Sequence, residues 1–161
     1  RKRPPVKVTG SDEVVDFGNV GDIEKIDTSM LSMLLDNGHL PIICPLSADM
    51  EGRVLNVNAD VVACRLAAAL SAEKLLLMTD KIGVLTDVND PTTLISQINA
   101  EQARESIRQG IIAGGMIPKV EEALRSLENG VHQVHVLSAV EPHTLLVEIF
   151  TETGCGTMLT Q

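Results

Sequence analysis

The 161-residue sequence predicts an α/β fold, a three-layer αβα sandwich around a mainly parallel sheet. Three observations carry this expectation. Apolar runs of strand length alternate with helical patterns of about ten or more residues. Within residues 74–79 the run Leu75-Leu76-Leu77-Met78 is continuously apolar rather than alternating, as a strand buried on both faces should be. Glycine and proline fall mostly at the boundaries between these patterns.

Taken in order, residues 28–37 read as a short helix, with Asp27 or Thr28 as its cap and Met30, Leu31, Leu34 and Leu35 at helical spacing. Asn37-Gly38 closes it through the left-handed conformation that glycine adopts cheaply. Residues 40–46, Leu-Pro-Ile-Ile-Cys-Pro-Leu, read as a buried strand with prolines near its ends. Asp49-Met50-Glu51-Gly52 is a turn, and residues 53–57 a short returning strand. Residues 59–70 are helical and apolar on most faces, the pattern of a helix lying on a sheet. Strand 74–79 stops at Asp80, and Gly83-Val84-Leu85 is a second short extended piece. Asn99 caps a helix through Gln109 that Gly110 terminates, and Pro118 sits in the first turn of a helix ending near Asn129-Gly130. Residues 131–137 form a strand, 143–150 a helix and 156–159 a final strand.

Composition narrows the function. The chain has 13 basic and 22 acidic residues, a formal charge of −9, with 44% hydrophobic residues, which is globular rather than disordered. Phe17 and Phe150 are its only aromatic residues, so the stacking faces and the basic surface that nucleic acids require are both missing, and no nucleic-acid partner is expected. No apolar run approaches the ~18 residues of a membrane span and no signal-peptide pattern opens the chain, so no membrane association is expected either. Arg1, Lys2, Arg3 and Lys7, with Pro4-Pro5 among them, make residues 1–14 read as a basic, extended connector. Cys44, Cys64 and Cys155 are odd in number and widely spaced, and neither they nor His39, His132, His135 and His143 have metal-ligand spacing. No disulfide framework and no protein-bound metal are expected, and a cytoplasmic compartment fits.

Two segments combine a strand end, polar residues and a helix start, where ligands collect in open α/β sheets. Asn56-x-Asn58-x-Asp60 puts three polar side chains on alternate positions as a strand runs into a helix, and alternate residues of an extended segment face the same side. Either Asn58 or Asp60 alone would serve as a helix cap, but three on one face exceed what a cap needs. Two amides can hold the carboxylate and amide of a small polar substrate, and a carboxylate among them can orient lysines. Residues 110–119, Gly-Ile-Ile-Ala-Gly-Gly-Met-Ile-Pro-Lys, form a glycine-bearing loop that opens a helix, where N–H groups and the helix dipole suit a phosphate. Lys119 opposes that dipole, which either a nearby anion or plain solvation would offset. Neither a P-loop nor a dinucleotide fingerprint is present.

The ordered set Asn56-Val57-Asn58-Ala59-Asp60, Leu75-Leu76-Leu77-Met78-Thr79-Asp80-x-x-Gly83-Val84-Leu85, Gly114-Gly115-Met116-Ile117-Pro118-Lys119-Val120 and Gly154-Cys155-Gly156-Thr157-Met158 is more specific than any member. It resembles the C-terminal, nucleotide-binding lobe of the N-acetylglutamate kinases, in the amino acid kinase family, over residues 15–161. Asp16-x-Gly18-x-Val20-Gly21-Asp22-Ile23 is similar to the start of that lobe. The resemblance implies an amino acid kinase-like fold and transfer of the γ-phosphoryl of ATP, with Mg2+ carried by the nucleotide, to the side-chain carboxylate of N-acetyl-L-glutamate. The product is an acyl phosphate of arginine biosynthesis. Lys119 is implied as the catalytic cation at the moving phosphoryl group and Asp60 as the catalytic carboxylate that orients lysines. Asn56 and Asn58 are implied at the substrate, and Thr79, Asp80, Gly83, Val84, Leu85, Gly115, Met116 and Ile117 at the nucleotide. A homo-oligomer is implied as well. The family's N-terminal lobe, with its glycine-rich phosphate loop, first catalytic lysine and substrate-binding arginine, has no counterpart before residue 15. The expectation is a nucleotide lobe without its substrate lobe, either as a fragment or as a natural truncation.

His143-x8-Glu152-x-Gly154-x-Gly156-Thr157 is similar to the C-terminal segment of arginine-inhibited members, which implies an arginine effector site at His143, Glu152, Gly154 and Gly156. A solvated Glu152 beside a glycine turn explains the same residues. The alternative function is a non-catalytic arginine-sensing or assembly module of the same fold. Lys119 and Asp60 together favour the kinase, because a sensor has no need of a cation at a helix start.

Overall fold

The computed structural model describes residues 1–7 and 12–161, so the middle of the basic segment read as a connector lies outside the described residues. The chain divides into two compact units, Arg1–Leu66 and Ala67–Gln161.

The first unit contains two short antiparallel pairs. β1 (Val6–Lys7) pairs with β2 (Val14–Val15), and β3 (Leu46–Ala48) with β4 (Val54–Asn56) across the expected turn. The Asp49 carboxylate closes that turn: Oδ1 accepts from the N–H groups of Glu51 and Arg53, each at 3.0 Å, and Oδ2 from Arg53 Nε at 2.8 Å. The first basic residues are exposed or half-buried and take partners at residues 20–22. The Arg3 N–H donates to the Val20 carbonyl, and its Nε donates to Asp22 Oδ1 at 2.9 Å. α1 (Ser29–Asp36) forms where its period requires, with Asp27 rather than Thr28 accepting the Ser29 N–H at 3.0 Å. None of its residues is buried, however, and Met30 is 69% exposed.

The buried strand expected at residues 40–46 does not form. Pairing begins only at Leu46, and Leu40 and Ile42 are 87% and 95% exposed. An apolar run specifies that burial is favourable, not which edge supplies it, and among the described residues no strand pairs with residues 40–44.

α2 (Ala59–Ala69) begins in the first unit and ends in the second. The second unit is organised by β5 (Lys74–Thr79), β6 (Gln97–Asn99), β7 (Gln133–Ser138) and β8 (Thr157–Thr160), arranged in the order β5-β7-β8-β6. β5 and β7 run parallel, as do β6 and β8, whereas β7 and β8 run antiparallel, so the sheet is mixed and mostly parallel. Consecutive residues of β7 are buried from Val134 to Ser138, and since alternate residues face opposite sides, both of its faces are covered. α3 (Ala100–Arg108) and α4 (Met116–Glu128) pack on each other and on β8. A capping box starts α3: Asn99 Oδ1 accepts the Gln102 N–H at 2.8 Å, and Gln102 Oε1 accepts the Asn99 N–H at 3.1 Å. β6 and a 3-10 turn at Pro91–Thr93 were not expected, because three residues are too few for a period to show.

α5 (Thr144–Phe150) reverses the usual arrangement. Phe150 is 78% exposed, while the Glu148 side chain points inward and is only 5% exposed. Glu148 Oε1 lies 2.6 Å from His135 Nδ1 on β7, and Oε2 accepts the Cys155 and Gly156 N–H groups at 2.7 and 2.9 Å. An ionised carboxylate only accepts, so Nδ1 carries the hydrogen. Glycine is required on both sides of this cluster. A Cβ at Gly154, where φ is +62°, would sit 2.5 Å from Glu148 Oε2, and one at Gly156 would sit 2.5 Å from the Val136 carbonyl oxygen.

Burial pushes the Glu148 carboxyl upward, but the Cys155 N–H, His135 and the Gly156 N–H outweigh it and hold the group below its ordinary value of 4.5. A depressed folded value means that the ionised form contributes stability in full above 4.5 and loses it as pH falls through the lower folded value. Glu148→Gln should therefore cost about 2 kcal/mol or more at pH 7. The deficit should shrink at pH 4 and below, where wild type loses the same contribution. Urea unfolding of both proteins across this range checks it, and a deficit that stays constant with pH would contradict the assignment.

Candidate functional site

A cleft of about 650 Å³ opens in the second unit past the carboxyl end of β5 and beside the amino end of α4. This is the size range of a small-molecule site. Two of the expected segments form it. Thr79, Asp80, Gly83, Val84 and Leu85 contribute from one stretch, and Gly115, Met116 and Lys119 from the other. Ile117, also expected at the nucleotide, does not line the cleft.

Each wall has a local cause. β5 ends at Thr79, and the chain turns so that the Thr79 hydroxyl donates to Asp80 Oδ1 at 3.1 Å while Lys81 Nζ lies 3.2 Å from Oδ2. Lys81 first, then the Thr79 hydroxyl, hold the Asp80 carboxyl below the usual carboxylate range. Gly83 follows with φ +152°, and a Cβ there would lie 2.7 Å from both Leu94 Cδ1 and Thr157 Oγ1. On the other wall, Gly114 adopts φ +56°, which favours glycine. Gly115, the N-cap of α4, has an ordinary φ of −68°, and a Cβ on it would meet nothing within 4 Å. Neither conformation nor packing demands glycine at 115, so the open space beside its backbone is the feature to explain. The N–H groups of Met116 and Ile117 make only long turn bonds of 3.3 Å, to Ala113 and Gly114, and Pro118 has none to give. This helix start is thus left with weakly used donors and the positive end of a 13-residue helix beside Lys119.

Lys81, Val88, Ile111, Ile112 and Ala113 also line the cleft and were not singled out from the sequence. Ile111-Ile112 inside a glycine loop was the available signal: an apolar pair where solvated residues are usual. Together with Val84 and Leu85 these side chains give the cleft an apolar part as well as a charged one.

The remaining candidates lie elsewhere. In the first unit, Asn56 and Asn58 are exposed and alternate with buried Leu55 and Val57, as the spacing requires. Asn56 ends β4 and its backbone is held by Asn19 and Gly21. Asn58 Oδ1 accepts the Val61 N–H at 3.1 Å and so is the cap of α2, and Asp60 lies half-buried in the first turn. At the C-terminal segment, His143 (φ +65°) and Glu152 are exposed. The carboxylate around which Gly154 and Gly156 are arranged is Glu148, with His135 behind it. Sequence reasoning missed both. The signal was an acid inside Leu145-Leu146-Val147-Glu148-Ile149-Phe150 and a histidine between Val134 and Val136. Among the described residues, no group of three or more His, Cys, Asp or Glu is placed to hold a metal ion, and no helix is long and apolar enough to cross a membrane.

Comparison with known proteins converges on one family. The model of the amino acid kinase family matches residues 4–138. The acetylglutamate kinase of Methanocaldococcus jannaschii is 45% identical over 162 residues, covering 100% of this chain and 54% of the relative. That of Acaryochloris marina is 49% identical over 144 residues, covering 89% of this chain and 51% of the relative. The chain therefore spans about half the length of these relatives. Among solved structures, N-acetylglutamate synthase from Neisseria gonorrhoeae complexed with coenzyme A and L-arginine superposes with a TM-score of 0.83 at 29% identity, covering 97% of this chain and 35% of that one. An isopentenyl phosphate kinase superposes with a TM-score of 0.65 at 23% identity, which shows the shared fold alone. With the family match covering most of its length, the chain belongs to the amino acid kinase family, whose members use ATP.

Proposed function

We propose that this chain supplies the ATP-binding half of an acetylglutamate kinase. The observation that carries the reading is the cleft in which residues 79–85 meet the glycine start of α4 and Lys119. Its apolar side chains suit a nucleotide base. The bare backbone at Gly115 and the weakly used N–H groups of Met116 and Ile117 suit phosphate oxygens, which need close donors rather than bulk. Lys119, on the same wall, would neutralise the phosphoryl group as it moves, with Mg2+ arriving on the nucleotide. Phosphoryl transfer asks a protein chiefly for alignment and charge neutralisation, and these groups supply both. On the first unit, Asn56 and Asn58 would hold N-acetyl-L-glutamate, and Asp60 would orient the catalytic lysines. The half of the relatives' length that this chain does not span would supply the rest of the acceptor site.

ATP-dependent acyl-phosphate formation, trapped with hydroxylamine, tests the reading, with glutamate and aspartate as acceptor controls. Turnover on N-acetylglutamate alone is expected from the longest protein carrying this sequence; no turnover by that protein would overturn it. In it, Lys119→Ala should lower kcat by about a hundredfold or more with a much smaller effect on ATP affinity. Equal losses in both would remove Lys119 from the moving phosphoryl group. Asp60→Asn should abolish turnover with a melting temperature close to wild type. A large fall in melting temperature with turnover retained would make Asp60 a helix-start residue only.

A second reading, an arginine-sensing module, is favoured by the likeness to an N-acetylglutamate synthase whose structure holds L-arginine. The C-terminal segment offers the exposed His143 and Glu152, with Gly154 and Gly156 following them in sequence, as groups for a guanidinium or an α-amino group. Calorimetric titration with L-arginine, on wild type and Glu152→Gln, should show binding that the substitution weakens about tenfold. Binding that it leaves unchanged, or no binding, would dismiss the site.

A further inference from the structure

The nucleotide cleft is lined by a loop whose shape is set from outside the cleft. Val84, in the middle of the Gly83–Leu85 wall, is buried, so both of its backbone polar groups need partners. Its carbonyl accepts the Ile95 N–H at 2.9 Å. Its N–H donates to a side chain 73 residues away, Thr157 Oγ1, at 2.8 Å. Thr157 is completely buried, is the first residue of β8, and is paired with Val136 of β7. Its backbone position is fixed from the preceding side as well, where Glu148 holds the Cys155 and Gly156 N–H groups. Gly83 permits the approach, since a Cβ there would lie 2.7 Å from the same Oγ1.

We propose that Thr157 is a positioning residue of the nucleotide cleft, fixing its Gly83–Leu85 wall through the hydrogen bond from the Val84 N–H to Oγ1. The inference rests on the nucleotide reading of the cleft. Thr157 touches no ligand in this role; it decides where the wall stands when one arrives. A valine at 157 keeps the volume and removes the acceptor, leaving a buried N–H without a partner unless the wall moves. A serine keeps the acceptor and removes only a methyl group.

The test uses this chain with Thr157→Val and Thr157→Ser, followed by hydrogen exchange at the Val84 amide and by MgATP titration calorimetry. Thr157→Val should exchange the Val84 amide about tenfold faster or more and bind MgATP about tenfold more weakly, and Thr157→Ser should restore both. Unchanged Val84 exchange, or unchanged MgATP affinity, in Thr157→Val overturns the proposal. A purely structural role would instead lower the melting temperature of both variants and leave the affinity of the folded fraction intact. No MgATP binding by the unsubstituted chain overturns the nucleotide reading, and this role with it, whereas binding that Thr157→Val leaves untouched overturns only this role. If Thr157→Val fails to fold, the unsubstituted chain decides: MgATP should slow exchange at Val84, and an unaffected amide there is the overturning result.

Discussion

The second unit depends on where its last strand goes. β8 lies between β7 and β6, so among the described residues those two strands are joined in the sheet through residues 157–160. Its insertion is a steric matter before it is an energetic one. The strand enters past the Val136 carbonyl at a distance that leaves no room for a Cβ on Gly156. The two N–H groups just before it would be buried donors, and the Glu148 carboxylate accepts both. A charge-assisted acceptor inside the unit thereby does what a neighbouring strand would otherwise do.

That requirement explains the orientation of α5. A helix with Leu145, Leu146, Val147, Ile149 and Phe150 would normally turn this face to the core. Here the core needs an acceptor opposite residues 155–156 and opposite His135, and Glu148 is the carboxylate on this helix that reaches both. An inward carboxylate carrying three hydrogen bonds settles the rotation of a seven-residue helix against its own hydrophobic pattern. The cost of leaving such donors unpaired, about 1–3 kcal/mol each, is comparable to what fully burying an apolar side chain contributes, so the polar demand is of a size to compete with the hydrophobic one.

Legibility in the sequence divided along the same line. Elements whose cause is local were readable: the β5 run, the Asn99 cap, the glycine ends of α1 and α3, and Pro118 in the first turn of α4 all lie where their residues place them. Elements whose cause is a distant partner were not. Residues 40–44 have the composition of a strand but no edge to pair with among the described residues, and the rotation of α5 is dictated by a turn beyond it. The candidate site shows the same split. Thr79, Asp80, Gly83, Val84, Leu85, Gly115, Met116 and Lys119 were singled out and line the cleft, whereas Lys81, Ile111 and Ile112 in the cleft, and Glu148 and His135 near the C-terminus, depend on how segments fold back on each other.

The cleft itself argues for a division of labour within the chain. Thr79, Asp80 and Lys81 satisfy one another in a local charge cluster, and on the proposed reading Lys119 and the start of α4 would face the phosphate charges of a nucleotide. One ammonium and a few backbone donors are enough to seat a nucleotide, because the nucleotide brings its own cation and its base buries apolar area. They would not be enough to recognise the proposed dicarboxylate acceptor, for which paired amides and further cations would be needed. The paired amides present in this sequence, Asn56 and Asn58, stand at the β4–α2 junction of the first unit, and one of them already spends its oxygen on a helix cap. Each of these groups is therefore held by its own local structure, the two amides by a strand end and a helix cap and Lys119 by the first turns of α4.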